Sequence, residues 1–163
     1  MTSLIRQAVP ADADLVFSLV RELADYERLS HEVDATAEMI ASALFGPNPR
    51  VFCDIAEWNG EGVGFALWFY NFSTFRGRHG IYLEDLFVRP SVRGHGLGKL
   101  LLASLAKRCV AENLARLEWS VLDWNEPSIA FYKAQGAVLL DGWTTCRVTG
   151  EALWRLADKA VAP

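Results

Sequence analysis

The 163-residue sequence contains no run of basic residues and no apolar segment long enough to cross a bilayer. Lysine and arginine number 16 against 20 acidic residues, which gives a formal net charge of −4 at pH 7. An acidic chain without a basic patch does not favour nucleic-acid binding, and it is compatible with a small cationic partner. Because the N-terminal residues also lack the apolar core of a signal peptide, we expect a cytoplasmic protein with neither membrane nor nucleic-acid partners.

Cysteine and histidine are scarce and dispersed. Cys53, Cys109 and Cys146 form no Cys-x-x-Cys pair, and no two histidines stand at metal-ligand spacing. This pattern disfavours a disulfide framework, a zinc site and a Cys-His nucleophile. We therefore expect no metal, and we expect the three thiols to be ordinary buried or half-buried side chains.

No repeat, low-complexity tract or Pro/Ser linker divides the chain, and its length suits one domain over residues 1–163. Helical and strand periodicities alternate along it, which predicts a mixed α/β (α+β) fold rather than a uniform βαβ repeat. Asn59-Gly60 indicates a hairpin between the second and third strands. The two closing segments, residues 136–140 and 144–148, are predicted as strands.

The second helix has a predicted boundary at each end. Asp34 is a possible N-cap, and Gly46 is a stop signal before a Gly-Pro-Asn-Pro break.

The stretch RGHGLGK, residues 93–99, places three glycines directly against an apolar helix. A helix N-terminus offers unpaired N–H groups, and glycine lets an anion approach the backbone, so this order is typical of a phosphate site. A P-loop is excluded because Gly98-Lys99 is followed by Leu100, and a dinucleotide fingerprint is excluded because the spacing is Gly-x-Gly-x-Gly in mid-chain. A tight strand-to-helix turn without a ligand is the alternative interpretation.

Three segments, IYLEDLFV, RGHGLG and DWNEPSIAFYKAQGA, occur in an order that resembles the GCN5-related N-acetyltransferase (GNAT) superfamily. The resemblance covers nearly the whole chain and is closest to the diamine acetyltransferases, of spermidine/spermine and thialysine types. It implies a single GNAT-like domain with a central, mostly antiparallel mixed sheet of about seven strands, splayed at its centre and flanked by about four helices. It also implies acetyl-CoA as co-substrate, no metal and a homodimer.

The resemblance places the cofactor at the end of the fourth strand, at the glycine loop and at the start of the helix after the fifth strand. The backbone of this fourth-strand end would bind the acetyl carbonyl and pantetheine, and the loop would bind the pyrophosphate. For Asn125, Pro127 and Ser128, plain capping of the helix that they begin is an open alternative. The residues are Leu86, Phe87 and Val88; Arg93, Gly94, His95, Gly96, Leu97, Gly98 and Lys99; and Asn125, Pro127 and Ser128.

Acetyl transfer requires a free amine, and deprotonating an alkyl ammonium with a pKa of about 10.4 at pH 7 costs roughly 4–5 kcal/mol. By resemblance, Glu84 is the proton acceptor, directly or through water, and a contact for the substrate amine, while Asp85 adds negative field or makes an internal hydrogen bond. One solvent-facing acid and one structural acid is the alternative interpretation. On a regular strand these two neighbours lie on opposite faces and cannot simply act as a pair. The resemblance also makes Tyr132 the general acid for the leaving thiolate, whereas taken alone it reads as a core residue.

Acids and aromatic rings attract a cationic amine. For Tyr26 and Glu27 an ordinary helix end is the alternative interpretation. For Asp141 and Trp143 the alternative is a plain loop before a strand. The segment SVLDWNEP and the short LLDGW, with few acids, weaken the case for long polyamines, so a short diamine or a thialysine-like amino acid is comparably plausible. A non-catalytic acyl-CoA sensor and a protein or peptide acetyltransferase remain as alternatives. The substrate candidates are Tyr26, Glu27, Glu84, Asp85, Asp123, Asp141 and Trp143.

Overall fold

The computed structural model describes residues 2–160, which contain five strands and five α-helices. The strands are β1 (Ser3–Gln7), β2 (Phe52–Trp58), β3 (Glu61–Ser73), β4 (Arg78–Val88) and β5 (Leu117–Trp119). The helices are α1 (Ala13–Glu27), α2 (Ala37–Phe45), α3 (Leu97–Ala111), α4 (Glu126–Ala134) and α5 (Gly150–Ala157).

The chain forms two compact units, one ending at Asp123 and the other beginning at Trp124. The first unit holds the whole sheet together with α1, α2 and α3, and the second holds α4 and α5. The single domain expected over residues 1–163 stays a prediction beside this division.

The strands form one sheet in the order β1-β2-β3-β4-β5. The first three pairings are antiparallel and the last, between β4 and β5, is parallel, which confirms the mixed sheet. Asn59 and Gly60 have φ angles of 52° and 85° at the turn between β2 and β3. Two successive residues in the left-handed region match the hairpin turn that the Asn-Gly pair predicts.

Each face of the sheet packs against different helices. On one face, buried side chains of α1, α2 and the sheet form a single cluster that includes Leu19, Leu44, Ile55 and Phe65. Alternation sends Ala56, Ala66 and Trp68 to the other face, where α3 contacts the sheet through a buried apolar stripe. This stripe consists of Leu97, Leu101, Leu102, Leu105 and Cys109.

A β-bulge interrupts the pairing of β3 with β4. Leu67 pairs with Asp85 while the next residue, Trp68, pairs with Leu83, so Glu84 has no partner on β3. One inserted residue reverses the faces on which all following side chains lie. Asp85 consequently shares the α1 face with Phe87, although Leu83, two residues earlier, belongs to the α3 face.

The predicted count of about seven strands is wrong, because the described residues form five. Residues 138–149 contain no strand, and the apolar side chains of Val138 and Leu140 are 80% and 61% exposed. An apolar run resembles a strand in sequence, but a strand forms only when a neighbouring strand accepts its hydrogen bonds.

Helix boundaries also differ from the prediction in two places. The helix count is five rather than about four, because α5 was not predicted; Glu151 and Arg155 form an i,i+4 ion pair of 3.2 Å on it. The N-cap of α2 is Thr36 rather than Asp34, since its hydroxyl accepts a hydrogen bond from the Met39 amide at 3.3 Å. Gly46 does cap the end of α2 as predicted.

Candidate active site

The glycine loop ends at α3 in a conformation that suits glycine. Gly94 and Gly96 have φ angles of +82° and +80°, in the left-handed region. A Cβ atom at either position would meet nothing within 4 Å, so the backbone conformation, rather than crowding, favours glycine here. Gly96 is the N-cap of α3, and its carbonyl accepts the Leu100 amide at 2.9 Å.

The helix amides that precede this bond have no intrahelical acceptor. They belong to Leu97, Gly98 and Lys99, at the positive end of a helix of 15 residues. Lys99 is exposed on the first turn and adds a full positive charge. This end of α3 therefore has the donors and the charge that a phosphate group requires.

Arg93 links the loop to two neighbouring elements. Its Nε donates to the Val88 carbonyl at 2.9 Å, at the end of β4. Its guanidinium carbon lies 4.8 Å from the centroid of the Tyr26 ring and 5.7 Å from that of Phe87. Tyr26, predicted as a substrate contact, is therefore a cation–π partner of the loop arginine. No sequence spacing could have indicated this contact, because it joins the end of α1 to a loop 67 residues later.

His95 contributes its ring to packing. The centroids of the His95 and Trp58 rings lie 4.4 Å apart, and His95 Nδ1 is 3.1 Å from the Val92 carbonyl oxygen. The His95 side chain thus contacts the end of β2. The role predicted from the sequence for the His95 backbone, in the glycine loop, is separate from this contact.

The pairing of β4 with β5 is short. The Ile81 amide donates to the Arg116 carbonyl at 2.9 Å, and the register continues only as far as Leu83 opposite Trp119. Beyond Leu83, β4 continues to Val88 beside no further residue of β5. Within the first unit, β4 is therefore unpaired on its β5 side beyond Leu83, and this is the stretch at which the resemblance implies a splay.

Alternation along β4 decides which amides face this unpaired edge. The Arg89 amide donates to the Val63 carbonyl at 2.9 Å, so it points toward β3. Counting back by twos, the Phe87 amide also points toward β3, whereas the amides of Leu86 and Val88 point toward the side on which β5 has ended. Of the three predicted backbone donors, the geometry offers these two to a ligand.

Asp85 is the group with the largest carboxyl pKa change in the first unit. Partial burial, followed by the negative charges of Glu84 and Glu27, raises the pKa of Asp85 to about 7. Burial also raises the pKa of Glu27, the last residue of α1. A carboxyl group with a pKa near neutrality can both bind and release a proton at physiological pH. From the sequence, Asp85 was expected to add negative field, to make an internal hydrogen bond or to contact the substrate. Its raised pKa was not predictable, because the burial that raises it depends on tertiary packing.

The bulge changes the relation between Glu84 and Asp85. Alternation separates neighbours on a regular strand, but Glu84 is the inserted, exposed residue of a bulge, where side chains are re-aimed. After burial, the negative charge of Glu84 is the largest cause of the raised pKa of Asp85. The strand is therefore not regular at this point, so the argument from opposite faces does not apply, and a joint role of Glu84 and Asp85 stays a prediction.

In the second unit, Asn125 caps α4. It is 4% exposed, and its Oδ1 accepts a hydrogen bond from the Ser128 amide at 3.3 Å. Pro127 occupies the second position of the helix, where no intrahelical N–H is required. Capping is therefore confirmed for Asn125, and contacts of this segment with a cofactor stay a prediction.

The other predicted residues near or within the second unit differ in exposure. Tyr132 on α4 is buried, with 9% of its surface exposed. Asp123 ends the first unit and is exposed, as are Asp141 and Trp143 in a segment without regular structure. Their roles toward substrate stay predictions.

Two kinds of feature are absent from residues 2–160. No group of three or more His, Cys, Asp and Glu side chains among them is arranged to hold a metal ion. None of the helices in this part of the chain has the length and apolar character needed to cross a membrane.

Comparison with known proteins gives consistent matches. The model of the acetyltransferase (GNAT) family matches residues 16–137. A thialysine N-epsilon-acetyltransferase of Bos taurus is 37% identical over 96% of this chain and 98% of its own length. An L-ornithine N5-acetyltransferase of Arabidopsis thaliana is 32% identical over 94% of this chain and 87% of its own length.

Among solved structures, an integron cassette protein from the mobile metagenome of V. cholerae superposes with a TM-score of 0.80 at 29% identity, covering 98% of this chain and 99% of that one. The family match includes most of α1, the glycine loop, the acids of β4 and Tyr132. On these grounds the chain belongs to the GNAT family of acetyltransferases and is an enzyme of the acyltransferase class.

Proposed function

We propose that this enzyme transfers the acetyl group of acetyl-CoA to the terminal primary amine of a small aliphatic substrate, either an amino acid with a side-chain amine or a short diamine. The names of its relatives support this substrate class, since they act on thialysine and ornithine. The observation that carries the proposal is that the charges of Glu84 and Glu27 act on the Asp85 carboxyl, next in the chain to the Leu86 and Val88 amides that point away from β3. Such a cluster attracts an ammonium group to the place where backbone donors can hold an acyl group.

The first unit contains donors that fit acetyl-CoA. The amides of Leu97, Gly98 and Lys99, with the charges of Arg93 and Lys99, would hold the pyrophosphate. The amides of Leu86 and Val88 would hold the pantetheine arm and the acetyl oxygen. When bound, acetyl-CoA supplies a thioester whose carbonyl carbon accepts the amine nitrogen.

Proton transfer accompanies the exchange of one bond for another. The Glu84–Asp85 pair accepts a proton from the substrate ammonium, so that the free amine forms the new C–N bond as the C–S bond breaks. A backbone amide of β4 stabilises the negative charge that develops on the acetyl oxygen. By resemblance, Tyr132 donates its phenolic proton to the departing thiolate, and the second proton that the attacking nitrogen loses restores the tyrosine.

A thiol-release assay with acetyl-CoA tests this function. The substrate panel contains thialysine, ornithine, lysine, short diamines, spermidine and a lysine-containing peptide. We expect free thiol with the amino acids or short diamines, and near-complete loss in Tyr132→Phe. The matched control is Tyr82→Phe, because the Tyr82 hydroxyl lies 2.8 Å from the Ser120 hydroxyl, beside the paired part of β4 and β5 and not at the acid cluster.

Three results would contradict parts of the proposal. Full turnover by Tyr132→Phe would show that Tyr132 is not the general acid. Preference for the peptide over every free amine would favour a protein acetyltransferase. Tight acetyl-CoA binding without turnover across the panel would favour an acyl-CoA sensor.

The homodimer stays a prediction. Several large apolar side chains of the second unit are exposed, including Trp143 at 81% and Trp154 at 74%, and a second copy of the chain would cover such surface. Light scattering on the purified protein measures its mass directly, and a mass near 18.1 kDa would contradict the dimer.

A further inference from the structure

Asp54 is a charged residue within an apolar core. It lies on β2 between Cys53 and Ile55, which both belong to the cluster under α1 and α2. Alternation therefore directs Asp54 to the opposite face, beneath α3, where only 4% of its surface is exposed. The proton-transfer chemistry proposed above does not use this carboxyl group.

Three buried polar atoms lie in this region, and none has a hydrogen-bond partner among the described residues. They are Asp54 Oδ2 on β2, Trp68 Nε1 on β3 and Arg108 Nε on α3. An unsatisfied buried polar atom costs about 1–3 kcal/mol, so three together require an explanation.

Contacts among the three side chains bring these atoms together. The Arg108 guanidinium carbon lies 4.9 Å from the centroid of the Trp68 ring. Burial raises the pKa of Asp54, while the Arg108 charge and the Trp68 N–H lower it, so both groups act on this carboxyl. The Trp68 N–H acts on the Asp54 carboxyl as a hydrogen-bond donor would, but neither Trp68 Nε1 nor Asp54 Oδ2 has a partner at normal hydrogen-bond geometry.

We propose that a single water molecule binds between Asp54, Trp68 and Arg108 and bridges β2, β3 and α3. Its oxygen accepts the N–H groups of Trp68 and Arg108, and one of its O–H groups donates to Asp54 Oδ2. Three polar partners are the usual number for a buried water. A metal cation is excluded by the two N–H donors, and an anion is excluded by the carboxylate.

This water would tie the C-terminal half of α3 to the sheet. Arg108 Nη1 also donates to Glu112 at 3.4 Å, and Glu112 accepts the Tyr70 hydroxyl at 2.7 Å, which extends the polar link to β3. The other end of α3 carries the amides assigned to acetyl-CoA, so Asp54 is a positioning residue for that site. This last step rests on the proposed function, whereas the water site does not.

Nuclear magnetic resonance on uniformly nitrogen-15-labelled protein tests the water directly. The chain has six tryptophans, and loss of one signal in Trp68→Phe assigns the Trp68 indole N–H. We expect a nuclear Overhauser cross-peak between this N–H and water, together with slow hydrogen exchange. The cross-peak persists in Asp54→Asn, whose amide oxygen still accepts a hydrogen bond, and disappears in Asp54→Leu.

A kinetic arm tests the positioning role. In Asp54→Leu the KM for acetyl-CoA should rise about three- to tenfold with little change in kcat, an effect typical of coupling through a packed network. Cys53→Ala is the matched control, because Cys53 is the adjacent buried residue and faces the opposite helices. It should lose stability without changing the KM for acetyl-CoA.

Several outcomes would overturn the inference. A protected Trp68 indole without a water cross-peak would show a direct bond to Asp54 or an empty space. A cross-peak that survives Asp54→Leu would place the water elsewhere; if that variant does not fold, Arg108→Met replaces it and should weaken the cross-peak. An equal rise in the KM for acetyl-CoA in Cys53→Ala would contradict the positioning role of Asp54. An inactive wild-type protein would contradict the proposed function, and the NMR test of the water would still apply.

Discussion

Asp54 and Asp85 are two aspartates of the same sheet, set on opposite faces and surrounded by opposite charges. Burial raises the pKa of both carboxyl groups. At Asp85 the neighbours Glu84 and Glu27 raise it further, to about 7. At Asp54 the guanidinium of Arg108 opposes the rise. One position is thus arranged to change its protonation state near neutral pH, and the other has a partner that favours its charged form.

The comparison separates burial from function. Desolvation alone would make both residues candidates for acid–base chemistry. The neighbouring charges distinguish them, because like charges favour a bound proton and an opposite charge favours the carboxylate. A carboxyl group among other acids is suited to receive a proton from a cation, whereas one opposite an arginine is suited to hold a fixed contact.

The largest expected difference lies in activity. Asp85→Asn should lower kcat/KM for the amine on the order of 100-fold, since general base catalysis contributes that much. Wild-type kcat/KM should rise with pH through about 7, and the variant should lack this rise. Asp54→Asn should keep the rise. Thiol release is measured from pH 5.5 to 9 for all three proteins. If kcat/KM of Asp85→Asn still rises through about pH 7 as in the wild type, Asp85 is not the group whose deprotonation controls the rate.

A second difference lies in the pH dependence of stability. The folded-state pKa of Asp85 is raised, so its protonated form stabilises the fold below about pH 4, and this contribution is lost as the pH rises through about 7. Asp85→Asn should therefore gain stability relative to wild type between pH 4 and 8, by up to a few kcal/mol at about 1.4 kcal/mol per pKa unit.

Urea unfolding at several pH values in this range measures that gain. Asp54→Asn should show the same sign with a smaller change, because Arg108 opposes the raised pKa of Asp54. A larger gain in Asp54→Asn than in Asp85→Asn would invert the comparison.

The smallest effects come from removing the neighbouring charges, and they should have opposite signs. Glu27→Gln should lower the pKa of Asp85, because a negative neighbour is removed, and Arg108→Met should raise the pKa of Asp54, because a positive neighbour is removed. Carbon-13 NMR titration of the aspartate carboxyl groups follows both changes. Shifts of the same sign would show that general loosening of the fold, rather than charge, controls the two residues.

Local features of the site were predictable because short-range chemistry determines them. Asn59-Gly60 forms its hairpin turn, Gly94 and Gly96 adopt positive φ before α3, and Asn125 caps α4. Each depends on the conformational limits of one or two residues. The family resemblance added the fold class, which the structural and family comparisons confirm.

Features that join distant segments were not predictable. The bulge at Glu84, the contact of Arg93 with Tyr26 and the early end of β5 all depend on packing between elements. The apolar residues 138–140 read as a strand because sequence alone cannot show whether a neighbouring strand is present to pair with them.

The sequence by itself determined where the chain turns, where α3 begins and which residues can bind phosphate or move a proton, because those properties reside in single residues and their close neighbours. Only the tertiary structure decided which carboxyl group has a pKa raised toward neutrality and which amides of β4 point away from β3. Burial and the charges around a carboxyl group are properties of assembled elements, and the inserted residue at Glu84 determines which side chains of β4 lie on each face of the sheet.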